Sequence, residues 1–388
     1  MNGAASRLRE RIAELRFDLG ELSGSLGDLG TFIPLAASLI VVCGLDAGTV
    51  LVFAGLFNIL TGLLFNQPIP VQPMKAVAAV AIAERLIPAE IAAAGFTAGA
   101  AIFVFGVTGL VGWAERVIPR PVVRGIQLGV GLKLASKGAA MIMGLRWSGL
   151  DGRLCALAAA ALVLVTGRWK RFPSALLLFV AGVGVLIAGH SDLLASLPLG
   201  WEGPSLMLPD WAAWKSGFVK AGLPQIPLTL LNSVIAVCAL SGDLFEGRGI
   251  GTRSMSLSVG LMNIGGCLFG AMPSCHGSGG LAGQYRFGAR TGGSVVALGA
   301  AKIALGISFG TAGVSLMALY PVAVLGVLLV FAGLELSLPA RDCASREAFM
   351  VAAATAAGIL AVNTWVGFLL GWVAAVFLLR DAESRPAQ

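Results

Sequence analysis

Fourteen apolar stretches follow one another along this chain, separated by short polar loops. They cover 28–43, 48–65, 72–86, 90–112, 120–143, 152–166 and 173–189, and then 222–240, 252–270, 276–286, 291–311, 314–333, 346–362 and 364–380. The runs are continuous rather than alternating, as in "VLVFAGLFNILTGLLF". Continuous runs predict helices and argue against an outer-membrane barrel. Only 12% of residues are charged and 57% are hydrophobic, whereas a soluble domain carries about 25% charged residues. The chain is therefore read as an all-α polytopic membrane protein.

Charge fixes an orientation. With an even number of spans both termini share one side. Eighteen Lys and Arg fall on that side and five on the other, with four more inside segments. The excess places both termini in the cytoplasm and the protein in the cell (inner) membrane. The net charge of +7 thus belongs to short loops, and nucleic acid is not expected as a partner. The first twenty residues are charged and lack a signal-peptide core. Six scattered cysteines form no CxxC pair, so neither a disulfide framework nor a zinc site is indicated.

The segments divide as seven, a polar linker, and seven. The expected units are a cytoplasmic N-terminal segment 1–22, a first repeat 23–189, an extracytoplasmic linker 190–221, a second repeat 222–380 and a tail 381–388. Seven spans per half is odd, so the halves insert with opposite orientation and form an inverted repeat. The third and tenth segments, 72–86 and 276–286, are too short to cross about 30 Å of hydrocarbon. Interrupted segments at matching positions point to a transporter with substrate bound where the broken helices meet.

In the first break, "FNQPIPVQPMKAVAAV", three prolines enforce extended backbone and a helix start near Pro73. Gln72 stands at the helix entrance and Lys75 in its first turn. A helix N-terminus carries roughly +0.5 charge and repels a cation. An anion at that point removes the conflict, because N–H groups and ammonium then converge on it. The competing role is a snorkelling lysine or a pair with Glu84. Glu84, nine residues on, is about 13 Å away along a helix. The second break, "MPSCHGSGGLAGQ", offers side-chain-free N–H groups at Gly277 and Gly279, a capping or ligand hydroxyl at Ser278, and Gln284 six residues on. Adjacent Cys275 and His276 lack a second ligand pair, so His276 is read as packing the site or donating a hydrogen bond.

The halves open on "GSLGDLGTFIPL" and "AGLPQIPLTLLNSV", which offer Thr31 in one and Gln225, Thr229, Asn232 and Ser233 in the other as cavity walls or helix-packing groups. Asp28 and Asp243 are candidates for coupling to a proton or cation; each has the alternative role of a cap or an arginine partner. Lys133 and Lys137, one helical turn apart, are read as structural or vestibule charge.

"GDLGTFIPL", "PVQPMKAVAAVA", "PLTLLNSVIAV" and "MPSCHGSGGLAGQYRFGART" resemble the molybdate transporter family, distant relatives of the SulP sulfate permeases. The resemblance spans nearly the whole chain. It implies the sulfate/uracil permease-like fold, with core and gate domains and substrate between the third and tenth segments. Many sulfate permeases carry a C-terminal STAS domain; here the sequence ends eight residues after Arg380, and none is expected. Homodimers among the relatives make a homodimer an expectation by analogy.

The expected function is secondary import of molybdate, with core moving against gate. The residues themselves reach only as far as a compact oxyanion; tungstate and sulfate stay open as substrates, and a nucleobase is a further alternative. Carrying a dianion inward against 100 mV costs about 4.6 kcal/mol, which motivates proton or sodium symport. Membrane lipid is the surrounding partner. No nucleophile–base pair, HExxH or nucleotide loop occurs, so neither an enzyme nor a cofactor is expected.

Overall fold

The computed structural model describes residues 13–166, 172–195, 200–201, 203–310 and 319–383. Residues 1–12 of the expected N-terminal segment, 196–199 and 202 of the expected linker, 311–318 and 384–388 lie outside the described residues, as do 167–171.

Helix α1 (Leu19–Cys43) starts where Asp18 accepts the N–H groups of Gly20 and Glu21 at 2.8 and 3.0 Å. It begins before the expected residue 28 because that cap lies upstream of the apolar run. It ends at Gly44, in the left-handed region at φ 75°. Helix α2 (Ala47–Phe65) follows, capped by Asp46 through the Thr49 N–H at 2.6 Å. The chain then runs as strand β1 (Val71–Pro73) into helix α3 (Lys75–Glu84). Ten residues make α3 about 15 Å long, half a bilayer. Next come α4 (Pro88–Thr108), a short α5 (Leu110–Val117), α6 (Arg120–Met143), α7 (Arg153–Thr166) and α8 (Ser174–Ala195).

The second half of the chain opens on α9 (Trp211–Leu244). This helix begins inside the stretch 190–221 expected to be linker. Asp210 accepts the Ala213 N–H at 2.8 Å and starts the helix eleven residues ahead of the predicted 222. Pro224 and Pro227 interrupt its ladder, and the helix absorbs them in wider turns at Phe218–Gly222 and Thr229–Ile235. Then follow α10 (Thr252–Gly266), strand β2 (Ser274–His276), α11 (Ser278–Arg286), α12 (Gly293–Phe309), α13 (Val322–Ser337), α14 (Arg346–Ala361) and α15 (Thr364–Glu383). Among the described residues, five helices are long and apolar enough to cross a membrane: α1, α2, α4, α9 and the helix that starts at Val322. The protein is an all-helical, multi-pass membrane protein apart from its two short strands.

The strands are neighbours. β1 and β2 pair antiparallel, with Val71 opposite His276, Gln72 opposite Cys275 and Pro73 opposite Ser274. Met74 N–H extends the ladder to the Pro273 carbonyl at 2.8 Å. The outer edges are closed by side chains from flanking helices. Asn58 of α2 accepts the Val71 N–H at 2.7 Å. Asn263 of α10 accepts the Ser274 N–H at 2.8 Å and donates to the Ser274 carbonyl at 2.6 Å.

Most helix packing falls in two sets, joined where α11 and α1 pack on α13. In one, α2 lies along α12 and α4 along α10; in the other, α6 packs on α13 and α14, and α14 on α15. The close approaches need glycine. A Cβ at Gly55 would stand 2.5 Å from the Gly299 carbonyl, and one at Gly299 2.5 Å from the Gly55 carbonyl.

Asn263→Leu removes both hydrogen bonds at one strand edge and leaves a buried N–H and C=O unpaired. It is expected to cost about 2–6 kcal/mol at ~1–3 kcal/mol per group, read as a lower melting temperature of the purified protein. Asn58→Leu removes one bond and should cost less; an equal or larger loss for Asn58→Leu would contradict this account of the edges.

Candidate functional site

The strand pair sets two helix N-termini side by side, α3 after β1 and α11 after β2. A cavity of about 470 Å³ opens beside α3. Its polar lining comprises Thr31 of α1, Lys75 of α3, Asn232 of α9, Lys133 and Lys137 of α6, and Asn363 and Thr364 at the α14–α15 turn. Among the described residues no carboxylate lines it. Lys75 Nζ is buried there without a hydrogen-bond partner. Glu84, the carboxylate considered for it, instead pairs with Lys220 at 3.2 Å.

Three of the predicted residues, Thr31, Lys75 and Asn232, therefore meet in one cavity. Ser278 reaches its wall indirectly, donating to Asn232 Oδ1 at 2.8 Å. The others are placed differently. Gln225 caps α3: its Oε1 accepts the N–H groups of Ala76 and Val77 at 2.8 and 3.2 Å, while its amide donates to Thr229 at 2.8 Å. The N–H groups expected to face an open anion site are thus held by a side chain carried between two prolines of α9.

Gln72 is fully buried and donates to Asp28 Oδ1. Its side chain fills the space that a Cβ at Gly277 or Gly280 would take. A Cβ at Gly279 would likewise meet Leu134 of α6. The glycine run of α11 is therefore not an open nest; its missing side chains let Gln72 and Leu134 pack against the backbone. His276 is buried with Nε2 3.0 Å from Ser258 Oγ, Nδ1 3.4 Å from the Pro70 carbonyl, and its ring edge-on to Phe65. It steadies the strand against α10 and does not line the cavity. Gln284 lies about 9 Å along α11 from Ser278 by helical rise. It donates to the Ser25 carbonyl at 3.5 Å and accepts from Ser294 at 3.0 Å, tying α11 to α1 and α12.

The two candidate coupling acids differ. Asp28 is buried at the junction of α1, β1 and α11, with Oδ2 unpaired. The charges of Lys302 and Lys75 act on it. Lys302, one of the four basic residues inside segments and given no role by the sequence, is a buried cation on α12 with Nζ 3.6 Å from the centre of the Phe32 ring. Asp243 is an arginine partner. Arg124 of α6 donates through Nη2 to Asp243 Oδ1 at 2.8 Å and to Asp342 Oδ2 at 2.8 Å, and through Nη1 to Asp243 Oδ2 and, at 3.1 Å, Gln127 Oε1. The pairing holds the end of α9 to the start of α6.

A family model described as "Molybdate transporter of MFS superfamily" matches residues 20–134 and 217–336. The chain is 42% identical over 411 residues to "Molybdate transporter 2" of Arabidopsis thaliana, covering 94% of this chain and 88% of that protein. It is 35% identical over 483 residues to "Molybdate transporter 1" of Chlamydomonas reinhardtii, covering 95% and 92%. Among solved structures, the transmembrane domain of the cyanobacterium bicarbonate transporter BicA aligns with a TM-score of 0.56 at 17% identity, covering 92% of this chain and 97% of that one. The murine Solute Carrier 26 family member A9 anion transporter in its inward-facing state aligns with a TM-score of 0.63 at 14% identity, covering 97% and 71%. The fold is shared with these membrane proteins.

Arg124 is almost fully buried, whereas the Asp342 side chain is 54% exposed. Asp243→Ala should therefore destabilise by about 1–3 kcal/mol and Asp342→Ala by under about 1 kcal/mol. Adding Arg124→Met to Asp243→Ala should recover most of the loss in thermal unfolding. No recovery would show that the arginine is not the group left unpaired.

Proposed function

The chain belongs to the molybdate transporter family, and from that membership we propose that it is a secondary transporter importing molybdate across the cytoplasmic membrane. The observation that carries the site is Lys75: a buried, unpartnered ammonium at the start of α3, in a cavity that holds no acid among the described residues. Molybdate at neutral pH is a tetrahedral dianion. Lys75 would meet its charge, with Thr31 and Asn232 offering hydrogen bonds to its oxygens. The positive end of the α3 dipole adds to the attraction. Ser278 orients the Asn232 amide, and Gln225 and Gln72 hold the two helix starts in place.

In this reading the chain is built of two inverted seven-segment repeats, α1–α4 with α6–α8 and α9–α15, with both termini cytoplasmic. Helices α1–α4 and α9–α12 form a core that carries the substrate. Helices α6–α8 and α13–α15 form a gate. The packing of α2 on α12 and α4 on α10, and of α6 on α13 and α14, supports that division, and the two sets meet where α11 and α1 pack on α13. The cavity is lined from both sets, so movement of one against the other exposes it to alternate sides of the membrane.

Import of a dianion against a negative-inside potential needs a driving cation. Asp28 is the stronger candidate to carry it, because it has a free carboxylate oxygen one contact from β1 through Gln72. Asp243 is engaged by Arg124.

Purified Lys75→Ala is expected to lose molybdate binding at least tenfold while keeping its melting temperature; unchanged affinity would remove Lys75 from the site. Tungstate, with the same charge and shape, should compete with molybdate, and uracil should not. In proteoliposomes, an imposed proton or sodium gradient should accelerate uptake by the wild type, and Asp28→Asn should abolish that acceleration. Retained acceleration would assign coupling elsewhere.

A further inference from the structure

Lys133 and Lys137 lie about 20 and 25 Å along α6 from its start at Arg120, away from both helix ends, and both side chains are exposed. A lysine at that depth is costly unless it faces water, an anion or a partner group. One turn apart, the two ammonium groups also repel each other. The cations in ion pairs each hold a carboxylate, Arg124 with Asp243 and Asp342, Lys220 with Glu84 and Arg286 with Glu335 at 3.9 Å, whereas Lys75 and Lys302 form no ion pair among the described residues. Lys133 has only the Ile359 carbonyl at 3.4 Å, and Lys137 forms no hydrogen bond or ion pair among the described residues.

Both side chains open into the cavity that holds Lys75, close enough for the charges of Lys75 and Lys137 to act on one another. Three cations therefore share one chamber whose lining holds no acid among the described residues, with Asp28 acting on Lys75 from behind Gln72. They come from two walls: Lys75 from the helices packed around α3, and Lys133 and Lys137 from α6, which packs on α13 and α14. Leu134, between the two lysines on the same helix, already touches the backbone of α11 at Gly279. The α6 wall and the helix start it faces are thus in contact.

We propose that Lys133 and Lys137 form the second half of the anion site, an α6 wall that holds the outer oxygens of a tetrahedral dianion bound at Lys75 and ties the two helix sets together around it. The inference rests on the reading of Lys75 as an anion-binding residue. It also gives the charge preference a cause. A monoanion neutralises one of three cations, whereas a dianion neutralises two and bridges both walls. The lysines favour doubly charged oxyanions over singly charged ones of similar size.

The test uses the full chain in lipid nanodiscs, with equilibrium binding of molybdate and of the monoanion perchlorate, and melting temperatures with and without molybdate. Wild type, Lys75→Ala, Lys133→Gln/Lys137→Gln and Lys133→Arg/Lys137→Arg are compared. The double glutamine variant is expected to bind molybdate at least tenfold more weakly, with perchlorate changed less than threefold, and the double arginine variant to recover to within threefold of wild type. Without ligand, Lys137→Met should melt higher than wild type, because an unpartnered charge is removed, and should gain less on adding molybdate. A lysine with a purely structural role would give a lower melting temperature instead. If wild type binds molybdate and Lys75→Ala does not, but the double glutamine variant binds within threefold of wild type, the α6 wall is overturned and the role of Lys75 stands. If wild type binds no molybdate, both fall.

Discussion

Backbone hydrogen bonding between two three-residue strands, 200 residues apart in sequence, is the interaction on which the rest of the arrangement depends. An extended segment inside a membrane protein exposes N–H and C=O groups that lipid cannot satisfy, at several kcal/mol each. Each strand solves the problem with the other, and Asn58 and Asn263 close the outer edges. Once β1 and β2 are paired, the positions of two helix starts follow, because α3 and α11 each begin two residues beyond the strands. A single contact thereby sets where Lys75 and Ser278 stand relative to each other.

The polar residues around that contact act at successive distances from the cavity. Gln225 holds the N–H groups of α3, and Asn232 takes the hydroxyl of Ser278. Gln72 connects β1 to Asp28 and rests on the glycines of α11. The glycine-rich entry thus does two jobs at once: it starts a helix and admits a neighbouring side chain close to its backbone. A larger residue at Gly277 or Gly280 would displace Gln72, and with it the hydrogen bond that reaches Asp28.

Much of this was legible in the sequence because it is local. Prolines at 68, 70 and 73 dictate extended backbone before Lys75, and "HGSGG" marks the second helix start. What remained hidden depends on partners far away in the chain. Nothing near Gln225 says that it caps a helix about 150 residues earlier. Nothing near Gln284 says that its amide is taken by Ser25 and Ser294 rather than by a ligand. The start of α9 is a different case: Asp210 before "WAAW" is an ordinary N-cap signal, masked by the tryptophans and polar residues that read as linker. For Lys133 and Lys137 the one-turn spacing was visible, but their common chamber with Lys75 is the cavity that α6 lines together with α1, α3 and α9.

The distribution of acids explains why the chamber stays positive. Asp18, Asp46 and Asp210 cap helices α1, α2 and α9, and Asp151 accepts the first two N–H groups of α13 at 2.9 and 2.7 Å. Glu21 accepts the N–H groups of Arg290 and Thr291, both at 2.9 Å, and Glu115 accepts the Thr252 hydroxyl at 2.7 Å. Asp243 and Asp342 hold Arg124, and Glu84 holds Lys220. Each of these carboxylates is committed to a helix end, a hydroxyl or a cation elsewhere. Asp28, the acid nearest the strand pair, lies behind Gln72 rather than in the cavity wall. Within the chamber lining, Lys75, Lys133 and Lys137 thus face no carboxylate, and the one acid whose charge reaches Lys75 is Asp28, from behind Gln72.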